Sequence, residues 1–167
     1  MGREVRMVPA NWEHPRDEKG HFIALLGGSF KERAAKWDEE ARQWANGFVQ
    51  DYATDGWKAK EPKNAGTFAD WDGGRPNEKD YMPDWPEAER THYQMYESTS
   101  EGTPISPAME TPEALARWLA DNSASAFANI GATYEQWLAT IKRGWAPSAV
   151  SSPKTGLVSG VEGLYEK

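Results

Sequence analysis

Apolar residues recur along this chain at two different periods, and the changes of period divide it into elements. Arg3 to Val8 (REVRMV) alternates polar and apolar side chains and stops at Pro9, which predicts a short strand. Phe22 to Leu26 is a short apolar patch ended by Gly27-Gly28. From Ser29 the period lengthens. Phe30, Ala34, Trp37, Ala41, Trp44 and Phe48 recur at alternating steps of four and three, as one face of a long helix does, and Ser29 is placed to cap it. Lys31, Glu32, Lys36, Glu39, Glu40 and Arg42 fall on the solvent-compatible face.

The period returns to two at His92 to Thr99, a Tyr-rich strand pattern followed by a turn at Ser100-Glu101-Gly102-Thr103. Pro104 to Met109 carries two prolines, which cannot donate to a ladder, so the return segment is predicted as an edge strand. Thr111-Pro112-Glu113 then starts a helix: Thr111 caps it, Pro112 needs no donor there, and Glu113 meets the positive end of the dipole. Residues 92–122 therefore read as a ββα hairpin-helix unit. Thr133 to Gln136 has the form of a capping box, Tyr134, Trp137, Leu138 and Ile141 make the stripe of a further helix, and Gly144 stands at its left-handed cap. Beyond Ser148 the chain is small, polar and Gly/Ser-rich. Leu157, Val158, Val161 and Leu164 are weak anchors there, which predicts a loosely docked tail over 151–167.

Between the first helix and the hairpin, Asp51 to Arg90 is punctuated by turns at DGW, KEPKN, DWDGGRP and MPDWPEAER. Loops of that length are uncommon in compact domains unless they are functional or disordered. Tyr52, Trp57, Phe68, Trp71, Tyr81, Met82 and Trp85 supply more apolar area than a disordered linker carries, so an ordered, aromatic-pinned loop region is expected. The whole predicts a single α+β domain over 1–150: a small, mainly antiparallel sheet, the ββα unit, about three helices and this long loop. Strand and helix do not alternate as a parallel α/β sheet requires.

Composition narrows what such a fold can do. At 167 residues the chain suits one domain. With no cysteine, disulfides, thiolate zinc sites, iron–sulfur clusters and a cysteine nucleophile are excluded, and a reducing compartment is expected. No apolar run approaches the ~20 residues of a membrane helix, and the opening residues lack the apolar core of a secretory signal. Twenty-six acidic against nineteen basic side chains, a net charge of −7, disfavour an extended phosphate-binding surface and hence direct nucleic-acid binding. Of the nine tryptophans, Trp37, Trp44, Trp118 and Trp137 lie on predicted helices as core anchors. Trp12, Trp57, Trp71, Trp85 and Trp145 lie in Gly- and Pro-rich stretches, where aromatics pin loops or form platforms for a base, a sugar or a partner's side chain.

Catalytic patterns are sparse. His14, His21 and His92 have no tight ligand spacing, and no HExxH is present. Asp70, Asp72, Asp80 and Asp84 do not fit the calcium-binding helix–loop–helix. Paired glycines at 27–28 and 73–74 form no phosphate cradle, and no serine stands in a GxSxG elbow. No catalytic set, metal or cofactor is predicted. Glu97 and Glu101, near a Thr/Ser-rich turn, are acid–base candidates, although an exposed hairpin tip accounts for them more simply.

The segments YQMYESTSEGTPISP, ETPEALARWLADNSAS, YEQWL and GVEGL, with VPANWEHPR at the start and YMPDWP in the middle, resemble a recurrent family of uncharacterised proteins encoded by tailed phages and prophages. The resemblance spans nearly the whole chain and implies a phage accessory protein made in the host bacterial cytoplasm, with virion association open. It transfers no chemistry. The first reading is non-enzymatic binding to a host or defence component through Trp57, Trp71, Arg75, Tyr81, Trp85 and the hairpin tip with Glu97, Ser100, Glu101 and Thr103. A second is a nucleotide-binding or sequestering module, with loop aromatics stacking on a base and Arg75, Arg90 or Lys79 on phosphate. A third is an enzyme using scattered carboxylates and histidines, His14, His92 and Glu97 among them.

Overall fold

The computed structural model describes residues 2–98, 102–152 and 156–165. In chain order its elements are β1 (Arg3–Val8), α1 (Phe30–Ala45), β2 (Phe48–Asp51), β3 (Gly56–Ala59), α2 (Phe68–Asp72), β4 (His92–Glu97) and β5 (Thr103–Pro104). There follow α3 (Pro112–Asp121), α4 (Tyr134–Arg143), β6 (Trp145–Ala146), β7 (Ala149–Ser152), β8 (Gly156–Ser159) and α5 (Gly160–Gly163). Among the described residues every strand pairing is antiparallel, and the fold is α+β. None of the described helices is long and apolar enough to cross a membrane. The chain forms two compact units, Met1–Gly27 with Trp85–Lys167, and Gly28–Asp84.

In the first unit the sheet order is β5-β4-β1-β6, with β1 and β4 paired from Arg3 opposite Glu97 to Val8 opposite His92. Opposed residues share a face, and faces alternate along each strand. Val5, Met95 and Tyr93 therefore point together into the core with Leu115, Leu119, Trp137 and Ile141 of α3 and α4. The intervening set, Arg6, Gln94 and Tyr96, points to the opposite face. The helix starts are made as the sequence predicts: Ala114 N donates to Thr111 Oγ1 at 3.0 Å, and Thr133 and Gln136 form a reciprocal capping box. Gly144 adopts the left-handed cap that turns α4 back into β6.

The predicted edge strand is β5, at the margin of the sheet and only two residues long. Further on, Tyr93 and Met109 exchange both backbone hydrogen bonds. Thr99 at the end of the predicted strand and Ser100 and Glu101 of the predicted turn lie outside the described residues, as do Pro153 to Thr155 of the tail. Gly102 has φ +55°, and a Cβ there would collide with the Leu25 carbonyl, so glycine is required where Leu25 N donates to Gly102 O at 3.1 Å. The tail corrects an expectation. Val161 is fully buried in the core, Ser159 caps α5, and Gly160 sits so close to Pro147 O that a side chain would not fit. A few apolar residues among small polar ones look weak as a pattern, yet one well-placed valine buries completely.

In residues 28–84, α1 begins at the Ser29 cap and carries the expected stripe, with Ala34 and Trp44 buried. Phe48 does not continue it, because the helix closes at Asn46 and Gly47 turns left-handed, placing Phe48 in β2. The rings of the stripe are covered from within residues 28–84. Phe68 lies 5.3 Å from Trp37 and 5.8 Å from Trp44, while Trp44 Nε1 donates to Gly66 O at 2.9 Å and Trp37 Nε1 to Gly73 O at 3.1 Å. The long loop is ordered and contains elements the sequence did not announce: the β2–β3 hairpin and α2, the latter started by a Thr67–Asp70 capping box. Glu40, expected on the solvent face, is buried, since it lies three residues after Trp37 and four before Trp44, on the flank of the stripe.

Trp44→Ala is expected to lower stability by roughly 3–5 kcal/mol in chemical denaturation. Half-buried Trp37→Ala is expected to cost less; equal losses would show that the stripe is buried evenly.

Candidate functional site

Two depressions are built by these elements, one in each unit. Within residues 28–84, α1, the β2–β3 hairpin and α2 surround a pocket of about 270 Å³. Its rim is aromatic and left open to solvent: Tyr52 is 80% exposed, Trp71 54%, Phe48 42% and Trp57 41%. Trp44 forms its floor, tilted 32° against Trp71 at 5.5 Å. The Lys60 ammonium sits 4.5 Å from the Trp44 ring centroid, a cation already held on an aromatic face.

The polar lining of this pocket consists mainly of acceptors. Glu40 is buried and, among the described residues, pairs with the half-exposed Lys36 ammonium at 3.6 Å. Asn64 is buried with no donor for its Oδ1, and Gln50 Oε1 is likewise buried without a donor. A buried acceptor left unpaired costs on the order of 1–3 kcal/mol, so such groups mark a place where a donor is useful. The lining lysines are already engaged: Lys58 pairs with Asp51 at 3.5 Å and Lys63 with Glu61 at 2.8 Å. Hydrogen bonds from Thr54 Oγ1 and Ala53 N, with the Lys58 charge, hold the Asp51 carboxyl below its ordinary range, and the Lys63–Glu61 pair holds the Glu61 carboxyl below and the Lys63 ammonium above theirs.

In the other unit a cleft of about 790 Å³ opens on the face of β4 that carries Gln94, between residues 12–22 and 104–108. Beside it lies a buried polar chain. Trp12 Nε1 donates to Tyr96 Oη at 3.2 Å, and the Arg6 guanidinium lies 4.4 Å from the Tyr96 ring centroid. His14 Nε2 is 2.6 Å from Ile23 O, an oxygen that can only accept, so Nε2 carries the proton and Nδ1 is the acceptor of the neutral ring. The single Tyr96 hydroxyl proton is thus shared between His14 Nδ1 at 3.1 Å and Gln94 Oε1 at 3.0 Å. Burial pushes the Tyr96 pKa up to about 12. Burial also lowers that of His14, helped by the Arg6 and Arg16 charges and opposed by the bond to Ile23. Ser106 is occupied, its Oγ accepting from Met95 N and donating to Pro107 O, each at 2.9 Å. This chain is satisfied by its own members and ties the N-terminal segment to the sheet.

The residues named from sequence separate into five places. Trp57 and Trp71 meet at the aromatic pocket. Arg75 is engaged elsewhere, in a two-pronged pair with Asp38 at 2.8 and 2.9 Å, and Tyr81 packs on Phe30 at 5.7 Å. Trp85 stands edge-on to Trp12 at 4.7 Å in the other unit. Glu97 lies opposite Thr103 at the β4–β5 end, 3.7 Å from the buried Arg3; Ser100 and Glu101 lie outside the described residues. The pocket adds Glu40, Phe48, Gln50, Tyr52 and Asn64 to the site. Of these, Glu40 had a signal, a carboxylate beside an apolar stripe, whereas Asn64 had none. The scattered acid–base set does not gather: His92 and Glu97 occupy opposite ends of β4, about 17 Å apart at a strand's ~3.3 Å rise. Among the described residues no three His, Asp or Glu side chains cluster as for a metal ion. No family model, curated protein or solved structure matches the chain.

His14 is held neutral in the fold, so its contribution to stability is present above its unfolded pKa, about 6.5, and is lost as pH falls through the lower folded value. The stability gap between the wild type and His14→Gln is expected to narrow from pH 7.5 to 5 in denaturation measurements. A gap constant over that range would contradict the assignment.

Proposed function

We propose that this is a phage accessory protein that acts without catalysis, by binding a bacterial host or defence component through the aromatic pocket of residues 28–84. The observation that carries this reading is the open ring set of Phe48, Tyr52, Trp57 and Trp71 around a pocket lined by buried acceptors. Large rings exposed together forgo roughly 25 cal/mol for each Å² they could have buried, and such patches commonly mark interaction sites. Aromatics, tryptophan above all, are also the residues that dominate interface energies. The separation of His92 from Glu97 along β4 weighs against the enzyme reading, which placed both in one acid–base set.

The nucleotide reading retains one supporting feature, the Trp57 and Trp71 rings beside Lys58 and Lys63. Arg75 is weakened as a phosphate contact, because the Asp38 carboxylate already takes the Nε–Nη2 edge of that guanidinium. Equilibrium dialysis against a panel of mononucleotides separates the two readings, retention favouring the nucleotide.

The binding reading is tested by capture from infected bacteria with the wild type and with Trp57→Ala/Trp71→Ala, whose circular dichroism is expected to match. A host protein held by the wild type and lost from the variant is the expected outcome. The same protein held equally by both would remove the pocket from the interface.

A further inference from the structure

We infer that the pocket of residues 28–84 receives the guanidinium of an arginine side chain presented by a protein partner. The inference rests on the binding reading above and adds to it the chemistry that is recognised.

Its basis is the mismatch between what the pocket offers and what already meets it. Glu40, Asn64 and Gln50 bring a carboxylate and two amide oxygens into one lining; the amide oxygens have no donor, and the carboxylate has one lysine at 3.6 Å. Asn64 is only 8% exposed, so its oxygen cannot be served freely by bulk solvent. A group that fits must carry several donors, tolerate an aromatic surface and bring positive charge to a carboxylate. A guanidinium does all three: it is planar, presents five donors in a fixed fork, and is hydrated weakly enough to stack on rings. An ammonium is a compact, strongly hydrated point charge and cannot reach separated acceptors in the same way. The unit already supplies one cation, Lys60 on the Trp44 ring, while Trp57 and Trp71 keep exposed faces for another.

Charge supports a cationic guest. Residues 28–84 carry twelve Asp and Glu against nine Lys and Arg, and the whole chain is at −7. The two lysines in the lining do not stand against it, since each is paired with a carboxylate of its own. Complementary charge of this kind raises encounter rates and selects among partners.

The test uses the full chain and defined probes: N-acetyl-arginine amide, its citrulline and lysine counterparts, and AMP and GMP. Titration is followed by tryptophan fluorescence and by the indole N–H resonances. Arginine amide is expected to saturate at millimolar concentrations and to shift the Trp57 and Trp71 resonances. Citrulline amide, which has the same shape without the charge, is expected to bind about tenfold more weakly or worse. Glu40→Gln is expected to reduce arginine affinity by a similar factor while leaving the denaturation midpoint close to wild type. Equal binding of arginine and citrulline amides, no saturation by arginine amide, or tighter binding of a mononucleotide would each overturn the inference, and all three are read on the wild type. Failure here with partner capture still lost in Trp57→Ala/Trp71→Ala would leave the binding reading intact. Capture unaffected by that variant would defeat the reading itself.

Discussion

The pairing of β1 with β4 is the constraint on which the larger unit depends. Six consecutive residue pairs set the register, and a slip by one residue would move Met95 out of the core and Tyr96 into it. Because the register holds, one short strand serves two environments. Met95 and Tyr93 complete the apolar layer under α3 and α4; Gln94 and Tyr96 organise a buried polar chain on the other face. That chain reaches Trp12, His14 and, through Ile23, the N-terminal segment, which has no long element of its own. The hairpin return is laced to the same strand, with Gln94 Nε2 donating to Ser106 O at 2.8 Å and Ile105 N to Met95 O at 2.8 Å.

Residues 28–84 solve a different problem with different means. Here Trp44 is the pivot: buried, bonded to Gly66 O, in contact with Phe68 and Trp71, and covered by Lys60. One indole thus converts a turn-rich stretch into an ordered wall around the helix. The rings that Trp44 cannot cover are those of the pocket rim. A pocket floored by a structural tryptophan inherits rigidity from the core, and rigid aromatic surfaces lose little entropy on contact. That is the physical link between the folding role of α1 and the binding role proposed for its neighbours.

Legibility followed the range of the interaction. Caps act over three or four residues, so Ser29, Thr111, Thr133 and Gly144 could be read from their letters and are found at the helix ends. The edge position of β5 followed from its proline in the same way. The β2–β3 hairpin was not legible as a strand pair, because Phe48 to Asp51 is too short to show a period, although its Asp55-Gly56 turn, with Asp55 at φ +55°, was. At the site, Trp57 and Trp71 were found as exposed loop aromatics. Arg75, Tyr81 and Trp85 shared their composition but not their location, since what separates them is a partner: Asp38, Phe30 and Trp12.

The sequence by itself determined the α+β class, the helix starts at Ser29, Thr111 and Thr133, the turn around Gly102 and the presence of more aromatic surface than a loop normally carries. Those are consequences of local geometry and of composition, which the chain carries with it. Only the tertiary structure decided which face of β4 is apolar, that Val161 closes the core, that the α1 stripe is covered by Phe68, and that Gln50 and Asn64 are left without donors around Trp57 and Trp71. Each of these depends on residues far apart in the chain arriving at one place. An unsatisfied acceptor in particular has no sequence signature, because what defines it is the neighbour it lacks.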